Sequence, residues 1–162
     1  MTFAIEVRVN GRTVQATVPP RLSLADFLRE RLGLTGTHIG CGQGLCGSCN
    51  VLLDSRSVRS CLTLAVQADG TDVVTVEDLS GPELSTVQDC LVRHRALQCG
   101  FCTPGFVVLI EELLTEVGAG LRPTPEEQRD RLAASLCRCT GYAPVLAAVQ
   151  ELVAAKISEQ SR

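Results

Sequence analysis

Along the first ten residues Phe3, Ile5, Val7 and Val9 alternate with polar neighbours such as Glu6, Arg8 and Asn10. A period of two belongs to a strand with one buried face. Asn10-Gly11 is suited to the two positive-φ positions of a type I′ turn, so "RTVQATV" (residues 12–18) is expected to return as the second strand of a hairpin. Pro19 and Pro20 end it, because proline has no N–H to give to a ladder. The period then lengthens. Ser23 followed by Asp26 has the pattern of a helix start, Leu24, Phe27, Leu28 and Leu32 share one face, and Gly33 is placed as the cap. "NVLLD" (residues 50–54) and "DVVTV" (residues 72–76) read as short strands, with Cys61 between them. A hairpin, a helix and further strands within residues 1–78 predict an α+β unit, with the helix laid across a sheet.

The texture changes at "EDLSGPELS" (residues 77–85), where the boundary between two domains is expected. Beyond it the patterns are helical. Val87, Cys90 and Leu91 form one stripe, and Phe106, Leu109, Ile110, Leu113 and Val117 form a second. Thr124, Pro125 and Glu127 make a capping box with proline in the first turn of a third helix. Val145, Val149, Leu152 and Val153 mark a fourth. Residues 79–162 therefore read as a four-helix domain, and the polar ending "SEQSR" reads as a chain end.

Composition narrows the function more than the fold. The chain has 162 residues, a net charge of −3 and a sequence pI near 5.4, which leaves no basic surface for nucleic acid. Aromatic residues are 3% of the chain and tryptophan is absent, so few rings could stack on bases. No stretch approaches the ~20 apolar residues that span a bilayer. "MTFAIEVRVNGRTV" at the start has neither a basic segment leading into an apolar one nor a twin-arginine signal. The expectation is a cytoplasmic protein whose thiols stay reduced. Its nine cysteines then form no disulfide framework, and an odd number would in any case leave one unpaired.

Eight of them fall into two sets of four. Cys41, Cys46, Cys49 and Cys61 are spaced C-x4-C-x2-C-x11-C in the first half, and Cys99, Cys102, Cys137 and Cys139 are spaced C-x2-C-x34-C-x-C in the second. Two complete quartets imply two tetrathiolate metal centres. Structural zinc sites usually present two C-x2–4-C knuckles. The first quartet instead takes three sulfurs from one glycine-rich loop, "HIGCGQGLCGSC", and its spacing is that of plant-type [2Fe–2S] ferredoxins. Gly42, Gly44 and Gly47 let such a loop curl and aim backbone N–H groups at sulfur. The bare spacing of the second quartet leaves zinc and iron–sulfur both open. Pro104, Pro125 and Gly141 suggest that its cysteine pairs sit at helix ends, where free N–H groups favour thiolates.

"ALQCGFCTPG" (residues 96–105) and "LCRCTGY" (residues 136–142), with "GCGQGLCGSCNVLLD" and "SCLTLA" before them, resemble the signature stretches of one family. It is the small iron–sulfur subunit of the molybdenum hydroxylases, the xanthine oxidase and carbon monoxide dehydrogenase-like enzymes. The resemblance runs in order over nearly the whole chain. It implies a β-grasp ferredoxin-like domain over residues 1–78 and a four-helix-bundle domain over 79–162, each with one [2Fe–2S] cluster. By the same resemblance electrons pass from a molybdenum–pterin centre on a large subunit, through the cluster of Cys99, Cys102, Cys137 and Cys139. They then pass through that of Cys41, Cys46, Cys49 and Cys61 to FAD on a medium subunit. Gln98 and Cys139 match positions that approach the pterin. A heterotrimer or a dimer of heterotrimers is implied. Three positions depart from the usual pattern: Ala134-Ser135 where Gly-Asn is common, Asn50 where Thr is, and Ser55 where a turn glycine is. None is a candidate ligand.

The chain offers no nucleophile–base pair and no phosphate-binding glycine fingerprint, so no catalytic residue is expected on it and FAD belongs elsewhere. Two other classes compete with the subunit reading: a free-standing electron carrier and a redox-inert zinc scaffold. Cys90 is expected as a buried thiol, His38 as structural, and His94 as a polar helix end. Arg138, between two candidate ligands, is placed to raise a potential or to anchor a partner carboxylate. Glu111, Glu112 and Glu116 are expected on a solvated helix face.

Overall fold

The computed structural model describes residues 1–81 and 83–160; Pro82, within the boundary stretch, and Ser161 and Arg162 of the polar tail lie outside the described residues. The hairpin forms as expected. β1 (Phe3–Val9) and β2 (Arg12–Val18) pair antiparallel from Phe3 opposite Val18 to Val9 opposite Arg12. Asn10 and Gly11 turn with φ of 51° and 73°. Ile5, Val7 and Val9 are buried, whereas Phe3, at the open end of the strand, stays 45% exposed. β3 (Asn50–Leu53), β4 (Arg56–Arg59) and β5 (Asp72–Val74) complete a five-stranded sheet in the order β2-β1-β5-β3-β4. Only the β1–β5 pair in it is parallel.

β4 was not expected from the hydrophobic pattern. Its signal is the turn before it: Asp54 and Ser55 both take positive φ, 47° and 67°, so they make a second two-residue hairpin turn without glycine. The expected helix also differs. α1 (Leu24–Asp26) starts at Ser23, whose Oγ accepts the Asp26 N–H at 3.0 Å, but continues as a π-helical turn over Phe27–Arg31. Leu32 N–H there reaches back five residues to Phe27 O. The cause lies downstream: the Arg29 guanidinium donates to the carbonyls of Thr35 and Thr37, both at 2.8 Å, and pulls the outgoing chain back over the last turn. Leu24, Phe27 and Leu28 still bury against Val7, Val51 and Val73, each such burial being worth roughly 1.5–3 kcal/mol.

The second core is helical. α2 (Thr86–Arg93), α3 (Thr103–Gly118), α4 (Pro125–Ala133) and α5 (Ala143–Gln160) bury the stripes read from the sequence, with Ile110, Leu113 and Val149 at its centre. The α4 capping box forms, Thr124 Oγ1 accepting the Glu127 N–H and Glu127 accepting that of Thr124. Val76 and Leu79, ahead of α2, already pack on this core. No helix among the described residues is long and apolar enough to cross a membrane.

α3 lies between the two cores, which overturns the expectation for its acidic residues. The helix packs on α5 and also on β3 and β4, so its outer face meets the sheet. Glu112 accepts from Ser57 N–H at 2.9 Å and Ser57 Oγ at 2.5 Å. Glu116 pairs with Arg131 at 2.5 Å and Arg56 at 3.6 Å. Burial pushes the Glu111 carboxyl up, against the nearby Lys156 ammonium, which lowers it.

The halves meet most closely where the cysteine loop touches the end of α4. Leu136 N–H donates to Cys46 O at 2.7 Å. Gly47 has φ of 74°, and a Cβ there would collide with the carbonyl oxygen of Ala134. A Cβ on Gly105, in the first turn of α3, would lie 2.5 Å from Gly47 O. Gly47→Ala is therefore expected to cost about 3 kcal/mol of unfolding free energy, combining left-handed strain with a backbone collision. Gly42→Ala, with φ of 65° and open space at the methyl position, should cost only about 1 kcal/mol. Denaturant unfolding of the two variants measures the difference.

A second expectation concerns pH. A carboxyl that ionises less readily in the folded chain costs stability as pH rises out of the ordinary carboxylate range. Glu111→Gln should therefore raise Tm at pH 7, and thermal melts should show the gain fading below about pH 4, where glutamate is itself protonated.

Candidate metal centres

The loop between the π-helical turn and β3 carries Cys41, Cys46 and Cys49, and Cys61 follows the end of β4. Gly42, Gly44 and Gly47 all take positive φ, giving the curl expected of this loop. The curl points N–H groups at sulfur: Gln43 and Cys46 donate to Cys41 Sγ at 3.3 and 3.4 Å. Those donors draw the Cys41 thiol down to about 6. Cys61 is pushed up to about 11, by burial first and by its contact with Cys49 second. Cys41 thus neighbours Cys46 and Cys49 neighbours Cys61, with Cys41 also acting on Cys61 from further off.

The second quartet is assembled by helix ends. Cys99 and Cys102 lie in the turn between α2 and α3, with Cys102 at the N-cap of α3 and proline in the helix's first turn. Cys137 and Cys139 lie in the loop from α4 to α5. Thr140 and Tyr142, whose roles were not read from the sequence, shape that loop. Tyr142, held at φ of 67° and edge-on to Phe106, accepts the Cys137 N–H at 2.9 Å and donates its hydroxyl proton to Ser135 O. The Thr140 N–H donates to Cys137 Sγ at 3.4 Å, and its Oγ1 lies 3.1 Å from the same sulfur. Burial raises the Cys137 thiol, but hydrogen bonds from Thr140, the Cys139 backbone and Cys102 together outweigh it and leave the thiol lowered. Cys102 is pushed up to about 12 by burial and then by Cys137. The contact with Cys99 raises Cys139, whose Sγ is 3.6 Å away. These sulfurs also pair, Cys99 with Cys139 and Cys102 with Cys137.

Pairing separates the two metal chemistries. Around one tetrahedral ion with metal–sulfur bonds of about 2.3 Å, all four sulfurs stand about 3.8 Å apart. Among the described residues, the trio of ligand atoms that lies mutually within 4.8 Å is Cys90, His94 and Glu151, which belongs to neither quartet. Two close pairs per quartet suit a centre with two metal ions, each taking two thiolates, as a [2Fe–2S] cluster does. The donor set fits as well: all nine cysteines are free thiols, and backbone N–H groups already aim at Cys41 and Cys137.

One cavity of about 340 Å³ is lined by Cys41 and Cys46 from one quartet and by all four cysteines of the other. The Leu136–Cys46 hydrogen bond crosses between the quartets at the same place. Cys99 and Cys139 are exposed, as is Gln98 beside them, and Arg138 is exposed at the cavity edge. His38 is structural: it stacks on Phe101, ring centroids 4.8 Å apart, and its Nδ1–H donates to Phe101 O. Cys90 is a buried thiol whose Sγ is 3.5 Å from Ala148 O. The trio it joins is already an ion-pair network, because Glu151 holds both Arg93 and His94 at 2.7 Å. Those bonds, that from Arg93 foremost, hold the Glu151 carboxyl down to about 2.

Another residue not singled out from the sequence is Arg59. Its guanidinium donates through Nε to Gly44 O at 3.1 Å, through Nη1 to Asn50 Oδ1 and through Nη2 to Ala134 O. Asn50 and Ala134, two of the departures noted in the sequence, are thus both acceptors for one side chain.

Two family models match the chain. Residues 7–80 match the family model for a 2Fe-2S iron-sulfur cluster binding domain, and residues 75–150 match the model for a [2Fe-2S] binding domain. The nicotine 6-hydroxylase small subunit of Paenarthrobacter nicotinovorans is 51% identical, over 90% of this chain and 86% of its own length. One subunit of a probable xanthine dehydrogenase from Bacillus subtilis is 38% identical, over 85% of this chain and 78% of its own. The crystal structure of quinoline 2-oxidoreductase from Pseudomonas putida 86 contains a chain that superposes with a TM-score of 0.89 at 46% identity, covering 98% of this chain and 97% of that one. With both models matched and relatives this similar over most of their length, the chain belongs to the family of small iron–sulfur subunits of the molybdenum hydroxylases.

Proposed function

We propose that this chain is the electron-transfer subunit of a molybdenum hydroxylase complex, relaying electrons from a molybdenum–pterin centre on a large subunit to FAD on a medium subunit. The observation that carries the reading is the paired arrangement of sulfurs in two quartets, with Cys41 and Cys46 of one lining the same cavity as all four cysteines of the other. Cys41, Cys46, Cys49 and Cys61 would hold one [2Fe–2S] cluster in a β-grasp, plant-type domain over residues 1–78. Cys99, Cys102, Cys137 and Cys139 would hold the other in a four-helix-bundle domain over residues 79–162. Bound there, such clusters supply one-electron acceptors, and the protein tunes and positions them.

The chain's own part is to bind, shield and connect. The Leu136 N–H bonded to Cys46 O gives a short through-bond link from the Cys137 side to the first quartet. Each quartet also keeps an apolar surface beside it, Phe101 and Leu136 by the second and Leu45 and Leu62 by the first. On this reading the exposed Cys99–Cys139 edge, with Gln98 next to it, faces the pterin, and the Leu45 side faces the flavin subunit. A heterotrimer or a dimer of heterotrimers in a reducing cytoplasm suits nine free thiols and two such faces.

The test is low-temperature EPR of the dithionite-reduced native complex, with iron, zinc and molybdenum counted on the same sample. Two distinct S = ½ signals and about four irons per chain are expected. Cys61→Ser should lose one signal and Cys139→Ser should lose or reshape the other, because each removes one thiolate from one quartet. A silent spectrum with stoichiometric zinc would overturn the reading. Both signals in a chain that purifies without molybdenum or partner subunits would instead assign it to the free carriers.

A further inference from the structure

Arg59 bonds to both cysteine-bearing loops at once. Gly44, which accepts its Nε–H, lies between Cys41 and Cys46, and Asn50, which accepts from Nη1, directly follows Cys49. Arg59 itself stands two residues before Cys61, so its position and its bonds fall within three residues of every cysteine of the first quartet. Ala134, which accepts from Nη2, is the C-cap of α4 and lies three residues before Cys137. The side chain is half-buried in the junction between the halves.

All three acceptors are neutral. Among the described residues no carboxylate lies within ion-pair distance of this guanidinium, whereas Arg8, Arg56, Arg93 and Arg131 each pair with one. A half-buried cation without a carboxylate is costly unless other negative charge offsets it. The loops that the guanidinium bonds to carry the cysteines: Gly44 and Asn50 belong to the first-quartet segment, and Ala134 leads to Cys137. A tetrathiolate [2Fe–2S] centre is anionic when oxidised and takes on one further negative charge with each electron, so a fixed cation favours the reduced form. An arginine suits the task because it stays charged at any working pH and spreads its donors in a rigid fork.

We propose that Arg59 is the internal counter-charge of the iron–sulfur relay: it raises the reduction potential of the first-quartet cluster, and its fork holds the two cluster-binding loops in register. This rests on the two-cluster reading above. The role is one of positioning and electrostatics, since Arg59 touches the loops and the geometry gives it no part in binding metal.

The experiment is an EPR-monitored redox titration of the purified complex carrying Arg59→Gln, Arg59→Met, Arg59→Lys or Arg56→Gln, with iron counted on each. Glutamine and methionine both remove the charge; glutamine keeps a donor and methionine keeps the length, so one of the two variants remains informative if the other assembles poorly. Both should shift the reduction equilibrium of the first-quartet signal roughly tenfold toward the oxidised form, which for one electron is about 59 mV more negative. The second-quartet signal should move less. Lysine keeps the charge but not the fork, so it should stay within about threefold of the wild type while changing the magnetic coupling between the two signals. Arg56→Gln removes an exposed cation three residues away and should leave both potentials in place. The proposal is overturned if the neutral variants keep the wild-type potential with full iron, if lysine shifts as far as they do, or if Arg56→Gln shifts equally. A wild-type complex lacking two signals sinks the two-cluster reading instead, so the two failures are distinguishable.

Discussion

Thiolates repel one another, and this chain gathers eight cysteines into two quartets of one small protein. The pairs register the conflict. In the first quartet backbone N–H groups pull Cys41 down while burial and Cys49 push Cys61 up. In the second, Thr140 helps pull Cys137 down while burial and Cys137 push Cys102 up. Each negative charge raises the cost of the next, as Cys49 does for Cys61 and Cys137 for Cys102. A coordinated metal removes the conflict by deprotonating its ligands outright. Much of the surrounding structure can be understood as preparation for that state: glycines that let N–H groups turn inward, a helix start at Cys102, and a threonine placed behind Cys137.

The same constraint explains why the two halves are so tightly joined. A relay between two centres needs them close, yet each loop is anchored in a different core. The solution is a seam with little side chain in it. Gly47 passes the carbonyl of Ala134, Gly105 passes the carbonyl of Gly47, and Leu136 bonds to Cys46. Around the seam stand longer-range ties: Arg59 to Ala134, His38 to the Phe101 carbonyl, and Ser57 to Glu112. Hydrogen bonds to charged groups are worth about 1.5–3 kcal/mol each, against ~0.5–1.5 for neutral ones, so Glu112 and Arg59 matter more to the seam than their number suggests.

What the sequence disclosed follows from what is local. The β1–β2 hairpin was legible because alternation and Asn10-Gly11 act within one turn, and α4 because Thr124, Pro125 and Glu127 do. The quartets were legible because metal binding dictates residue type and spacing, which few other constraints do. β4 was missed because "RSVR" has one apolar residue and its turn uses Asp54-Ser55 in place of a glycine. The π-helical turn was missed because its cause, Arg29 bonding to Thr35 and Thr37, lies beyond the helix. Glu111, Glu112 and Glu116 were misread for the same kind of reason. A run of carboxylates resembles a wet face until β4, α4 and α5 are in place around it. Arg59 gave no local signal, since all three of its acceptors are carbonyl oxygens set by the tertiary fold.

The surface around the quartets completes the logic. A folded chain usually hides large apolar side chains, but Leu45 is 78% exposed on the first cysteine loop and Leu62 is 61% exposed beside Cys61. Leu136, next to Cys137, is 61% exposed. Single exposed leucines need no explanation, but here they adjoin sulfur on both sides of the molecule's one seam. Shielding such centres from water raises the energetic weight of every nearby charge and dipole, so a half-covered centre is a poorly controlled one. The chain supplies cover on the inner side of the quartets, through the seam. The outer cover has to come from elsewhere, and apolar side chains at the rim are the surface on which another subunit would supply it.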